Sequence, residues 1–443
     1  MLISKVAGYS RQIFAAACLW VLLAASAYAL EPIQHWQTTN GARVYFVSAR
    51  ELPMVDVRVI FSAGSARDGA HAGLAALTNS LLSQGAGGLS ADEIANGFED
   101  LGARYGNSSE RDMGAVSLRS LSDPSLLGPA VKLFATVLSR PDFNRPDFDR
   151  QRQRMRVAAR QRKQRPGSVA KEAFYRAVFG NHPYASAPGG SEASLAELER
   201  DQVRDFHRTF YVARNAVVAI VGDLDRAGAQ RVAQEIVESL AAGKAAETVS
   251  PVSELEKSSV QRITHPSTQS HVMLGAPGMT RRDDDYFALY VGNHILGGSG
   301  LVSRLSEEIR DKRGLSYSVY SYFAPMERRG PYRLGLQTRN DQVDEALSVL
   351  RDQLKGFVEK GPTQAELGAS KKNITGGFPL RIKSNSNIVE YLGMIGFYRL
   401  PLDYLDTFNA NVEAVTVEKI RDAFRRRVDP DRMATIVVGG GDG

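Results

Sequence analysis

Seven histidines and one cysteine are the side chains here most suited to metal or nucleophile chemistry: His35, His71, His182, His207, His265, His271, His294 and Cys18. Two imidazoles reach one ion when they share a helical turn or form a His-x-His pair. No two of these do. His71 is followed at plus three and plus four by Leu74 and Ala75, which cannot coordinate. Structural roles in caps, core or surface are therefore expected for all seven. Serine or cysteine hydrolysis has no support, since there is no Gly-x-Ser-x-Gly elbow and the one cysteine lies near the N-terminus. Gly297-Gly298-Ser299-Gly300 has the glycines of a phosphate loop but not its lysine. On the residues alone, Arg310 pairs with an acid such as Glu307, and Tyr317 is a half-buried strand aromatic.

The segment holding that pair, Leu296–Tyr322, reads as a glycine-rich turn, an amphipathic helix, a tight turn at Gly314 and a strand. Leu301, Leu305, Glu308 and Ile309 fall near helical spacing, with Ser303, Arg304, Glu307 and Asp311 on the wetter side. Tyr317 to Tyr322 alternates as a strand does. Earlier, Asn40-Gly41 marks a hairpin turn before Arg43–Val47, and Pro53–Phe61 alternates as a strand. Ser90–Leu101 opens with a serine cap and an acidic first turn, then runs helical.

The pattern occurs twice. Val203-Arg204-Asp205 starts a helix leading to Ala219-Ile220-Val221-Gly222. At an offset of 217 residues, Ile420-Arg421-Asp422 leads to Ile436-Val437-Val438-Gly439, and Arg208 matches Arg425. The same offset aligns 165–184 with 382–401 more loosely. A period this long means tandem domains rather than a solenoid. The stretch 241–258 is small, polar and without apolar period, as an interdomain linker is. The expected division is a leader at 1–29, a first domain at 30–240, the linker at 241–258, and a second domain at 259–443.

The leader has Lys5 and Arg11, an uncharged Ile13–Ala27, and the small-x-small site Ala27-Tyr28-Ala29. These are the marks of a secretory signal peptide cut after Ala29, which places the protein in the periplasm or otherwise outside the cytoplasm. The apolar run is too short for a comfortable span, and Phe14-Ala15-Ala16-Ala17 before Cys18 lacks the usual leucine of a lipoprotein anchor. The mature chain then has no cysteine, so it has neither disulfides nor thiolate metal sites. Its roughly 410 residues suffice for two domains. Losing Lys5 and Arg11 lowers the formal charge from +6 to +4, which gives no case for nucleic acid. Arg150, Arg152, Arg154, Arg156, Arg160, Arg162, Lys163 and Arg165 crowd one helix, either as a solvated face or as a surface for an acidic substrate or partner.

Glycine loop, helix, Arg-Gly-Leu turn and aromatic strand in that order resemble the C-terminal signature of the pitrilysin, insulinase and mitochondrial processing peptidase family of zinc proteases. The resemblance runs from about Trp36 to Val438 and includes His182-Pro183-Tyr184. It implies an α+β fold of two similar domains, each a mainly antiparallel sheet with helices, facing each other across a cavity. It also implies that Arg310 and Tyr317 hold substrate, since a guanidinium and a phenol can grip a peptide carbonyl and offset charge developing on its oxygen.

Active members of that family carry His-x-x-Glu-His after Gly-Leu-Ala. Histidines four apart on one helical face bind zinc, and the glutamate activates its water. Here Gly73-Leu74-Ala75 is followed by Ala76, Asn79 and Ser80 at those three positions. Val157 or Ala158 stands where a downstream glutamate ligand belongs. No zinc and no other cofactor is expected in this chain, and no peptidase activity from it alone. Some family members divide the work between a zinc-bearing subunit and one that supplies the Arg–Tyr pair. The sequence looks like the second kind, with a zinc-bearing homologue and peptide as its partners. The alternatives are a peptide-binding or assembly subunit with no proteolytic role, and an active zinc peptidase with substitute ligands.

Overall fold

The computed structural model describes residues 31–441. The leader, its cleavage site and Cys18 lie outside them. Eleven strands build two main sheets among the described residues. The first half contributes β1 (Gln34–Gln37), β2 (Arg43–Ser48), β3 (Met54–Phe61), β4 (Arg104–Ser109), β5 (Gly114–Leu121) and β6 (Ala216–Gly222). The second contributes β7 (Ser259–Pro266), β8 (Gln269–Pro277), β9 (Ser318–Phe323), β10 (Pro331–Arg339) and β11 (Ala434–Gly441).

The spatial orders are β1-β2-β6-β3-β5-β4 and β9-β10-β8-β11-β7. Each sheet has one parallel pair, β2 with β6 and β7 with β11, and is otherwise antiparallel. Leaving out β1, the two sheets have the same order and the same parallel pair. This is the duplication that the repeated helix-to-strand segment signals. A parallel pair needs a long crossover, and in each half nearly the whole domain lies between the two paired strands.

Four helices matter for the site: α1 (Leu74–Leu81), α2 (Arg145–Lys163), α3 (Pro166–Phe179) and α4 (Asn385–Tyr398). Both α3 and α4 cross over. α3 belongs to the first half yet packs on β8 and β11 of the second sheet, while α4 belongs to the second half and packs on β6, β3 and β2 of the first. This explains why 165–184 and 382–401 repeat, and why β6 is buried along its whole length. Successive strand residues face opposite ways. Val218 and Ile220 of β6 enter the first half's own core, whereas Val217, Ala219 and Val221 join a cluster built mainly from the second half. On the second sheet, Met273, Ile436 and Val438 pack with Phe174 of α3. A fully buried side chain of this size contributes roughly 1.5–3 kcal/mol, so the exchange binds the halves strongly.

The segment 241–258 has no regular element, but it is not a free tether. Val249 and Val252 are buried. Arg328 Nε donates to Val249 O at 2.5 Å, Arg329 to Val252 O at 2.9 Å, and the His182 ring meets Ser250 O at 2.9 Å. Low apolar content conceals a strap held by its backbone carbonyls. Among the described residues no helix is long and apolar enough to cross a membrane.

Candidate functional site

Asp68 positions α1. Its carboxylate accepts from the backbone N–H groups of Gly73 and Ala75, both at 2.8 Å, satisfying donors that a helix start leaves open. Burial pushes this carboxyl up to about 7, against the pull of those two donors. Gly73 takes a φ of 100°, open to glycine at little cost, and its Cα faces Gly190 and Leu195 where a Cβ would clash.

The three positions that could have held a metal do other work. Asn79 is buried, and its Nδ2 donates to Ala115 O at 3.3 Å and to the Tyr211 hydroxyl at 3.1 Å. Ser80 Oγ donates to Leu77 O within the helix at 2.8 Å. Ala76 offers only a methyl group. These residues do not fit a zinc ion: one donor group is missing, one is an amide turned into the core, and one is spent on its own backbone. No zinc-activated water is assigned to this chain. Val157 and Ala158, on α2, are exposed and apolar. Among the described residues no three His, Cys, Asp or Glu side chains gather as a ligand set.

The histidines sit in structural contacts. His35 stacks on Tyr45, and the half-buried His207 meets Leu138 O at 2.9 Å. His294 lies between Ser370 and Asn373, and His71 is beside Gln202. His265 and His271 flank β11, and His182 caps the short turn leading to Tyr184. The basic residues of 150–165 are largely exposed, as a solvated face is, and several of them are also tied to neighbours in the fold. Arg150 pairs with Asp147, Arg152 with Asp149 and Leu198 O, Arg160 with Glu192, and Arg162 with the carbonyl of Gly190.

Arg310 and Tyr317 come together. The guanidinium carbon lies 5.1 Å from the phenol ring centroid, and Tyr317 is 85% exposed. Two expectations change here. Glu307 pairs with Lys312 at 2.9 Å, leaving Arg310 only a distant approach to Asp311 at 4.0 Å. The strand begins at Ser318, so Tyr317 stands before it in solvent rather than half-buried within it. The preceding helix also differs from a regular amphipathic one. His294–Gly298 and Ser306–Asp311 are π-wound, a short 3₁₀ turn lies between them, and Leu301 is exposed while Ser303 is buried. π-turns are rare and concentrate at functional sites. The close seat of Gly297 against Ser321, where a Cβ would fall 2.6 Å from the Ser321 backbone nitrogen, holds this segment to β9.

Two family models match successive parts of the chain: "Insulinase (Peptidase family M16)" over 43–190 and "Peptidase M16 inactive domain" over 197–374. A solved structure described as a peptidase M16 inactive domain, from Pseudomonas fluorescens, superposes with a TM-score of 0.89 at 41% identity, covering 92% of this chain and 97% of that one. This chain belongs to the M16 peptidase family. An uncharacterized zinc protease of Streptomyces coelicolor is 30% identical over 62% of this chain and 61% of its own length. The non-peptidase homolog YmxG of Helicobacter pylori is 26% identical over 91% and 93%. The chain is thus an M16 homologue of the inactive type, with the α+β, two-domain architecture of that family.

Sequence reasoning missed the seam between the halves. Asp112, nearly fully buried, accepts from the Tyr184 hydroxyl at 2.5 Å through one oxygen. Its other oxygen accepts from Glu327 N at 2.7 Å and the Tyr398 hydroxyl at 3.1 Å. Tyr184 belongs to the first half, Glu327 and Tyr398 to the second. Burial and the Asp112 charge push both phenols up, so they remain donors. His182-Pro183-Tyr184 marked one partner; nothing local marks the other two.

Proposed function

We propose that this M16 chain is the non-catalytic subunit of a heteromeric zinc metallopeptidase, exported to the periplasm, with domains at 30–240 and 259–443 joined by 241–258. It binds peptide, and Arg310 and Tyr317 act in trans at the active site of a zinc-bearing homologous partner. One contrast carries this reading. The former metal positions are absorbed into α1, whereas the half-buried Arg310 and the exposed Tyr317 stand paired and without a close ion pair. A guanidinium and a phenol left free in this way can donate to a peptide carbonyl and offset the charge that builds on its oxygen during attack. The attacking water belongs to the partner's zinc.

The test is to co-express this chain with an M16 homologue from the same genome that retains His-x-x-Glu-His. Light scattering should give a heteromer, and peptide turnover should require both chains. Tyr317→Phe keeps the ring and removes only the hydroxyl. It should leave assembly intact and lower turnover by roughly a hundredfold, on the order of 3 kcal/mol for one lost oxyanion-type donor. Tyr322→Ala controls for general damage to β9. Separate chains at micromolar concentration, or turnover within about twofold of wild type for both Tyr317→Phe and Arg310→Ala, a difference of only ~0.4 kcal/mol, would overturn the proposal.

A further inference from the structure

A cavity of about 350 Å³ opens at the seam between the halves, away from Arg310 and Tyr317. It is walled by β3, the turn after β4, α4, Arg281 and the segment 324–326. Most of its charged walls are already satisfied. Arg58 pairs with Glu390 at 2.7 Å, Arg111 donates to Tyr184 O and Ser186 O and stacks on Tyr175, and both oxygens of Asp112 are taken. Two charges are not spent. Arg281 is half-buried, its guanidinium lies 5.8 and 5.5 Å from the Tyr286 and Tyr398 ring centroids, and its one side-chain hydrogen bond among the described residues is a long one of 3.3 Å to the Tyr286 hydroxyl. Glu110 has no side-chain partner among the described residues, although its backbone is tied to Met113 and Ser65. Ile60, Met113, Met326 and Met394 supply apolar wall between them.

A half-buried guanidinium with unused N–H donors is best satisfied by a planar carboxylate. Glu110 is an exposed carboxylate on the wall of the same cavity and can receive an ammonium group. Small-molecule sites run from roughly 300 to 1,000 Å³, so this one has room for a small ligand and none for a folded segment. We propose that the seam cavity binds a small zwitterion with an apolar side chain, an α-amino acid or a dipeptide. The carboxylate lies on Arg281, the ammonium on Glu110, and the side chain among the methionines. Such a ligand touches both halves at once. The site is complete within one chain and needs no partner subunit, so it stands or fails independently of the role of Arg310 and Tyr317.

Isothermal titration and thermal shift on the isolated mature chain test this with L-leucine, L-methionine and Leu-Leu, each also as its N-acetyl and its amide derivative. At least one free zwitterion should bind at millimolar concentration or tighter and raise the melting temperature. Whether leucine, methionine or the dipeptide binds best identifies the source. N-acetylation and amidation should each weaken binding tenfold or more, because each removes one of the two charges. Arg281→Gln should abolish the response to the zwitterion. Glu110→Gln should weaken zwitterion binding while leaving the N-acetyl derivative unchanged. No heat and no thermal shift with any of the zwitterions, or equal binding of the charged and blocked forms by wild-type protein, overturns the proposal without recourse to any variant.

Discussion

Asp112→Asn should loosen the seam measurably. The carboxylate takes three hydrogen bonds, from the Tyr184 and Tyr398 hydroxyls and from Glu327 N. An asparagine offers one oxygen for these and places an amide N–H₂ toward a donor. If its oxygen serves Glu327 N and Tyr398, its nitrogen faces the Tyr184 hydroxyl at 2.5 Å, and that hydroxyl already accepts from Arg328 N. At least one charge-assisted bond is lost, worth about 1.5–3 kcal/mol, and the displaced hydroxyl remains buried. A total near 3 kcal/mol follows. The exchanged helices and shared core make the halves one cooperative unit. For ~411 residues the unfolding entropy is roughly 0.9 kcal/mol/K, which translates to a fall in melting temperature of about 3–4 °C. Calorimetry measures this directly. Tyr398→Phe removes only the longer bond and should cost about 1 kcal/mol. The double variant should fall short of the sum, because the two changes share one network. A melting temperature for Asp112→Asn within about 1 °C of wild type, or strict additivity in the cycle, would refute this account of the seam.

Asn79→Leu leaves Ala115 O and the buried Tyr211 hydroxyl without their amide partner, and should cost about 2 kcal/mol in a urea melt; an unchanged midpoint would show that Asn79 is a bystander. Protein purified without chelator should carry no stoichiometric zinc by elemental analysis, since Ala76, Asn79 and Ser80 do not fit the ion. Asp68, raised to about 7, holds a proton in the folded state that the unfolded chain releases near pH 4. Its contribution to stability is full below about pH 4 and is lost as pH climbs through about 7. Denaturant midpoints at about pH 5 and pH 8 should therefore differ less in Asp68→Asn than in wild type, and an identical pH dependence would count against the assignment.

Much of this protein is legible in its sequence because the signals are local. Asn40-Gly41 makes the hairpin from β1 to β2, and Ser90 caps its helix as expected, with Glu93 completing a capping box. The repeat at an offset of 217 residues became two sheets of one order. Gly73-Leu74-Ala75 with Ala76, Asn79 and Ser80 marked both the family and the altered metal positions, because ligand chemistry depends on side-chain type at fixed helical spacing.

Only the tertiary structure decided the rest, since it depends on what lies across space. Sequence could align 165–184 with 382–401 but not reveal that α3 and α4 each cover the other half's sheet, because an apolar helix face does not name its partner. Composition read 241–258 as an interdomain linker, but that its backbone carbonyls, which every sequence has, bind it as a strap is seen only in the fold. The arginines of α2 form the solvated face that their sequence suggests, but their pairing with Asp147, Asp149 and Glu192 is seen only in space. Arg310 and Tyr317 were marked by the family resemblance of their segment, but their approach and the exposure of Tyr317 belong to a partly π-wound backbone that helical periodicity does not encode. Asp112 and Arg281 carried no signal at all: a buried acid and an unsatisfied cation acquire meaning only when residues hundreds of positions apart close around them.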